Sequence, residues 1–280
     1  MKRKLIRRVV SAAACLLFCQ TAHAQVEFLA ASVGKGDALI LRVDGYVCLI
    51  DTGKSEAEDQ LKRVFARLNI ERLDAVFLTH TDKDHTGGMK WLRKSGIGIG
   101  AIYASRYHPE VKDKKHPAVK TAEKLGLEVH WLAAGDEVAL GDTGAVFRVV
   151  APIEAIEGND DDNSLVMMLE SADGRILFTG DMEEAGEKLL LASGAELRCD
   201  VLKVPNHADS DACSAALIAA CKPKVAVIST DSAEKPDTPD ARILRDLDRA
   251  GCVAYNTEHC TFGVRVLLED GQVTADYISW

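Results

Sequence analysis

The chain has 280 residues, 47% of them hydrophobic and 28% charged, with a formal net charge of −9 at pH 7. That balance suits one large globular domain and excludes a disordered or low-complexity polymer. The acidity opposes tight non-specific binding of nucleic acid, which needs Lys and Arg to neutralise phosphates, although a local basic patch would escape a net count.

Lys2, Arg3, Lys4, Arg7 and Arg8 open the chain, residues 9–19 are a short apolar run, and Ala22-His23-Ala24 is a small-x-small site. Residues 1–24 therefore read as a signal peptide, with an uncleaved anchor as the competing reading. Phe18 is too bulky for the position before a lipidated Cys19. The expectation is an exported bacterial protein, periplasmic or secreted, with one domain over residues 25–280. Setting the leader aside removes five positive charges. No later run reaches the roughly 20 apolar residues that cross a bilayer.

Residues 26–31 read as a strand, Ser32 to Asp37 as a Gly-rich turn without P-loop spacing, and residues 38–43 as a second strand. Asp44-Gly45 signals a hairpin into residues 46–50. Asp51-Thr52-Gly53 follows, a tripeptide also used by aspartic proteases. Those enzymes need two such aspartates brought together, and the chain has no second copy. Residues 57–68 form an amphipathic helix with Leu61, Val64, Phe65 and Leu68 on one face.

Residues 74–78 are a buried strand, followed by Thr79-His80-Thr81-Asp82-Lys83-Asp84-His85-Thr86-Gly87-Gly88 and a helix from Met89. Two histidines and two aspartates within six positions of a strand-to-helix turn are imidazole and carboxylate ligands at a sheet edge. Crowding the acids together is costly unless a cation offsets them. Residues 100–104 are a strand, and residues 107–115 a polar loop flanked by His108 and His116, read as solvated. A helix over 120–125 ends at Gly126, and strands occupy 128–131 and 138–150, with turns at Gly135 and Gly141.

Residues 157–162 are an acidic loop ending in Asn163-Ser164. Strands at 165–170 and 175–179 flank a turn, and the second runs into Gly180-Asp181, where glycine permits close backbone approach and the carboxylate projects at the sheet edge. A helix over 182–191 and a strand over 200–204 lead to Pro205-Asn206-His207. A strand at 225–229, a loop to Pro239, a helix at 241–250 and strands at 252–255, 263–268 and 272–278 complete the chain. His259 is either a surface residue or a support for a ligand. The two halves echo each other: strands, an acid-bearing turn, then a helix. That predicts an α/β fold, an αββα sandwich of two mixed sheets flanked by helices, with the site at one edge.

Six cysteines lie beyond the leader. They allow fifteen complete pairings, among which the sequence does not choose; Cys213 and Cys221, about 12 Å apart along a helix, are too far to bridge, Cys252 and Cys260 are the favoured couple, and buried thiols are the equal alternative.

The sequence from His80 to His85 resembles the first metal motif of the metallo-β-lactamase superfamily, His-x-His-x-Asp-His, with Asp82 in place of the second His. This variant with Gly-Gly after it, and the hairpin from Asn163-Ser164 to Thr179-Gly180-Asp181-Met182-Glu183, is similar to the soluble domain of the ComEC/Rec2 competence proteins and their stand-alone relatives. The resemblance runs from about residue 26 to the end. It makes Val33-Gly34-x-Gly36-Asp37 an opening signature and Asp51-Thr52-Gly53 a structural turn beside the site. It implies metal ligands at His80, Asp82, Asp84, His85, Asp181 and His207, with Asp181 bridging two divalent ions and Asp84 and Asp181 carrying catalysis. His207 takes the ligand position of a His-His-Gly-Ser motif whose first His is here Asn206, so the register between Asn206 and His207 stays open. Asn163 is expected to supply an amide oxygen or hold a water; Asn206, Asp51 and His259 are further supporting positions.

Two metals that share a hydroxide need no Ser or Cys nucleophile. The ligand set is oxygen-rich, which moves preference towards Mn²⁺ or Fe²⁺, with Zn²⁺ retained. It also argues against a β-lactamase. The expected activity is metal-dependent hydrolysis of a phosphodiester or related ester, in a small-molecule or polymer substrate; the resemblance implies a nuclease. Asn206 and Thr238, which replace family histidines, leave a non-catalytic metal- or ligand-binding protein as the alternative.

Overall fold

The computed structural model describes residues 25–108 and 115–280; the proposed signal peptide and most of the 107–115 loop lie outside these. Two sheets face each other. The first has eight strands in the order β15-β14-β1-β2-β3-β4-β5-β6: β1 (Val26–Ala31), β2 (Leu39–Val43), β3 (Tyr46–Ile50), β4 (Arg72–Leu78), β5 (Gly98–Ser105), β6 (Val129–Leu132), β14 (Gly263–Glu269) and β15 (Gln272–Ile278). The second has seven, β13-β12-β11-β10-β9-β8-β7: β7 (Glu137–Ala139), β8 (Val146–Ala151), β9 (Val166–Ser171), β10 (Gly174–Phe178), β11 (Val201–Lys203), β12 (Val225–Ile228) and β13 (Val253–Asn256). Both sheets are mixed: β3 to β6 and β10 to β13 run parallel, and the remaining pairs are antiparallel.

The near-continuous apolar strands follow from burial on both faces. In β1, Val26, Phe28 and Ala30 enter the core between the sheets, while Leu29 and Ala31 face outwards under helices. Four phenylalanines join the sheets: Phe28 meets Phe178 edge-on at 5.1 Å, and Phe77 meets Phe147 at 5.1 Å. The outer face of the first sheet is covered by α1 (Glu58–Arg67), α3 (Met89–Leu92) and α4 (Pro117–Leu125), while the single turn α2 (Lys83–Thr86) carries His85 at the sheet edge. That of the second is covered by α5 (Glu184–Ala192), α6 (Ala215–Cys221) and α7 (Ala241–Arg249). The result is the expected αββα sandwich.

The expected Cys252–Cys260 bridge is absent: all six cysteines from Cys48 onward are free and buried. Cys252 belongs to the layer beneath the helices and Cys260 to the core between the sheets, so the second sheet's packing separates them. His116 is not a solvated loop residue either. Its Nδ1 accepts from the Ala118 N–H and caps α4, and its ring meets His108 and Trp131. No helix among the described residues is long and apolar enough to cross a membrane.

Candidate metal centre

The Asp51-Thr52-Gly53 turn and the Thr79–Gly88 turn are built against each other. β3 ends at Ile50, and Asp51 takes a left-handed φ of 57° that aims its carboxylate beneath β4. There Oδ1 accepts from the Thr79 N–H at 2.9 Å, and Oδ2 accepts from the Thr79 hydroxyl at 2.6 Å and from His85 Nδ1 at 2.8 Å. The Thr52 N–H donates to the His85 carbonyl, and the Gly88 N–H to that of Gly53. The approach is close enough that a Cβ on Gly88 would lie 2.3 Å from the Thr52 carbonyl oxygen.

Bond directions then assign the protons. Thr79 gives its one hydroxyl proton to Asp51, so its contact with His80 Nδ1 at 3.0 Å is the imidazole donating. His80 Nε2 is left bare, and it is buried without a hydrogen-bond partner. His85 likewise donates through Nδ1 to Asp51, which leaves Nε2 as the nitrogen that faces the cluster.

The second sheet supplies the opposite wall. β10 ends at Phe178, and Gly180 turns with φ 54° where a Cβ would stand 2.8 Å from Ser164 and 2.9 Å from Thr79. Only glycine admits that approach, and it brings Asp181 beneath the first sheet's turn. β11 ends before Pro205, after which Asn206, His207 and Ala208 all have positive φ, at 42°, 52° and 63°. Such backbone costs on the order of 1 kcal/mol or more per residue and persists where the surroundings enforce it. Here it directs His207 inwards, with Nδ1 donating to the Ser229 carbonyl at 2.6 Å.

Three groups thereby converge. His85 Nε2 lies 3.2 Å from His207 Nε2, and Asp181 Oδ2 is 3.1 Å and 3.0 Å from the two nitrogens. Each imidazole spends its Nδ1 on a partner outside the cluster, so the Nε2 of each ring and the Asp181 carboxylate face one point, where a proton or a cation must offset them. Asp84 Oδ2 is 3.6 Å from His207 Nε2. His80 Nε2 faces Asp161 Oδ1 at 3.4 Å, with Asp82 nearby. Asp181 Oδ1 is buried with no hydrogen-bond partner. Imidazole and carboxylate donors fit one cation among Asp84, His85, Asp181 and His207, and a second among His80, Asp82 and Asp161.

The electrostatics show the cluster drawing positive charge, as protons on the rings or as a cation in their place. Burial would lower His85 and His207, but the Asp181 carboxylate, joined by Asp51 at His85 and by Asp84 and Asp37 at His207, raises both. Asp84 and Asp181 are held below the usual carboxylate range against burial by His207 and His85. This half of the site draws positive charge. His80 differs: burial and the neighbouring His85 lower it to about 3, so its ring stays neutral. Burial and Asp181 push Asp161 up to about 8.

His80, Asp82, Asp84, His85, Asp181 and His207 are thus brought together, and His207 rather than Asn206 faces the cluster. Asn206 instead donates its amide to Glu183 and Asp211. Asp51 lies directly behind His85 and Thr79. One expectation is corrected, and one open alternative is decided. The Asn163 amide is turned into its own loop instead of the cluster: its oxygen accepts from Ile156 N, and its nitrogen donates to the carbonyls of Ile156 and Asn159. His259 is a surface residue, 60% exposed and set against Tyr277. The site residue missed in the sequence is Asp161. Its only signal is membership of the acidic run before Asn163-Ser164. Thr238 is buried against the Thr230 hydroxyl.

The profile of the metallo-beta-lactamase superfamily matches residues 31–232. The chain belongs to this superfamily. It is 26% identical to ComE operon protein 3 of Bacillus subtilis over 92% of this chain and 36% of that protein. It is 25% identical to Recombination protein 2 of Haemophilus influenzae over 86% of this chain and 29% of that one. The superfamily member thus spans about a third of the length of the curated relatives it matches. Among solved structures, the metallo-beta-lactamase fold protein YhfI from Bacillus subtilis superposes with a TM-score of 0.56 at 11% identity, covering 90% of this chain and 100% of that one. At that identity the likeness shows the fold alone.

Proposed function

We propose that this superfamily member is an exported, metal-dependent hydrolase acting on a phosphodiester. The observation that carries the reading is the meeting of two imidazole Nε2 atoms and a buried carboxylate within 3.0–3.2 Å. When bound, a pair of divalent cations would lower the pKa of a water molecule and polarise the electrophile. Asp84, His85 and His207 would hold one and His80, Asp82 and Asp161 the other, with Asp181 between them. The remaining work falls to the chain. Asp51 and the Ser229 carbonyl hold the Nδ1 atoms of His85 and His207, so that Nε2 is the nitrogen each ring would offer a cation. Lys35, 3.0 Å from Asp84, offers an ammonium to an anionic phosphoryl oxygen.

The oxygen-rich donor set favours Mn²⁺ alongside Zn²⁺. Kinship with Recombination protein 2 brings nucleic acid into view. The net charge of −9 instead favours a small or lipid-linked phosphodiester of the cell envelope, where the leader pattern in residues 1–24 would deliver the protein.

Purified protein should contain about two transition-metal ions per chain and hydrolyse bis(p-nitrophenyl) phosphate. A chelator should abolish turnover, and Asp181→Ala should remove both metal and activity. Absence of stoichiometric metal, or chelator-resistant turnover, refutes the proposal. Tightly bound metal without turnover of any ester, single-stranded DNA included, would make the chain a metal-binding module.

A further inference from the structure

One buried charge has no part in the chemistry above. Lys203, the last residue of β11 and four positions before His207, is fully buried. Burying an ammonium is costly, and a methionine would fill the same space without that cost. Its Nζ lies 2.9 Å from Asp37 Oδ2, an ion pair lacking the alignment of a hydrogen bond, and donates to the Val204 carbonyl at 2.9 Å. Asp37 is itself buried.

Asp37 joins the two walls of the site. Its backbone N–H donates to the Asp84 carbonyl at 3.2 Å, and its own carbonyl accepts from the Gly53 N–H. The preceding Gly36 is pressed so close that a Cβ there would lie 2.7 Å from the Asp84 carbonyl oxygen. These contacts belong to the first sheet. The Asp37 side chain reaches into the second: Oδ2 pairs with Lys203, and Oδ1 accepts from the Ser229 hydroxyl. Ser229 is the residue whose carbonyl receives the His207 Nδ1 proton. A continuous path therefore runs from Lys203 through Asp37 and Ser229 to His207, and from Asp37 through the backbone to Asp84.

We propose that Lys203 and Asp37 form a cross-sheet clamp that sets the tautomer of His207 and its position relative to Asp84, making Lys203 a positioning residue for the metal centre. The inference rests on the metal-centre reading, but the tautomer can be tested without any ion. A lysine serving only to stabilise the fold could be replaced, together with its partner, without consequence for His207.

The double change Asp37→Asn with Lys203→Gln removes both charges and keeps hydrogen-bonding groups at both positions. It is compared with the wild-type full chain by thermal unfolding, by calorimetric titration of metal-free protein with Zn²⁺ and Mn²⁺, and by NMR of ¹⁵N-histidine-labelled metal-free protein. At a pH alkaline enough to neutralise the ring, the clamp predicts His207 protonated on Nδ1 in the wild type and a mixture of tautomers in the variant. It also predicts affinity for the ion on the His85–His207 side weakened about 10- to 100-fold. A variant that loses melting temperature but keeps the wild-type tautomer and affinity overturns it. If the variant does not fold, Ser229→Ala cuts only the hydroxyl link to Asp37, and an unchanged tautomer and affinity there overturn it equally. Wild-type protein that binds no metal refutes the hydrolase reading, while the tautomer comparison still decides the clamp.

Discussion

Asp51→Asn is the sharpest test of how the site keeps its nitrogens available. In the native arrangement Oδ1 takes the Thr79 N–H, and Oδ2 takes the Thr79 hydroxyl and the His85 Nδ1 proton. An asparagine must place its NH₂ on one side or the other. Facing the Thr79 N–H, it sets donor against donor in a buried site, at about 1–3 kcal/mol. Facing His85, it donates to Nδ1 and moves that ring's proton to Nε2, into the cluster. The Thr79 hydroxyl then accepts from the amide and turns its proton towards His80 Nδ1, reversing that ring as well. The backbone N–H cannot reverse and the imidazoles can, so the second orientation wins.

Loss of such a supporting group lowers metal affinity about 10- to 100-fold, or about 1.4–2.7 kcal/mol, and here both ion positions are affected. Chelator-competition titration with Zn²⁺ and Mn²⁺ measures the loss, and ¹⁵N shifts of labelled histidine report which nitrogen carries the proton. If Asp51→Asn binds two ions with wild-type affinity, or if His85 remains protonated on Nδ1, the proton assignment is wrong.

Asp161→Ala should strip the ion beside His80 and leave the one beside His207; native mass spectrometry should then show one ion per chain, and retention of two would remove Asp161 from the site. Gly180→Ala puts a Cβ 2.8 Å from Ser164 at a φ of 54° and should destabilise the fold by about 2 kcal/mol or more; an unshifted urea midpoint would contradict this. His116, which burial and the neighbouring His108 lower to about 4, is neutral in the fold while its unfolded form titrates near 6.5. The unfolded chain therefore binds the extra proton between those values, so this contribution is complete above pH 6.5 and is lost as pH falls towards about 4. It amounts to about 2 kcal/mol after allowing for partial exposure. His116→Asn, which keeps a capping oxygen, should flatten the stability–pH curve in that window; an unchanged slope would show the acid sensitivity lies elsewhere.

Much of the fold was readable because β strands buried on both faces leave unbroken apolar runs, and amphipathic helices such as α1 declare a face. The first metal turn was readable because its residues are adjacent in the chain. Asp161 was not. Asp160, Asp161 and Asp162 are chemically identical neighbours, and a 3₁₀ turn sends successive side chains about 120° apart. One carboxylate holds the Thr81 N–H, the next faces His80, and the third holds the Gly186 N–H. Lys203 was hidden for a related reason: within an apolar strand a lone lysine looks like an edge residue until its partner, more than 160 positions away, is in place.

Local sequence thus determined the chemistry on offer: which turns carry imidazole and carboxylate, and where glycine permits close approach. Tertiary structure decided which groups meet, which nitrogen of each ring is free, and whether Asn206 or His207 enters the site. The physical reason is that ligand identity belongs to single residues, whereas proton position and burial depend on partners such as Asp51, Asp37 and Ser229, which only the packing of two sheets brings within hydrogen-bond distance.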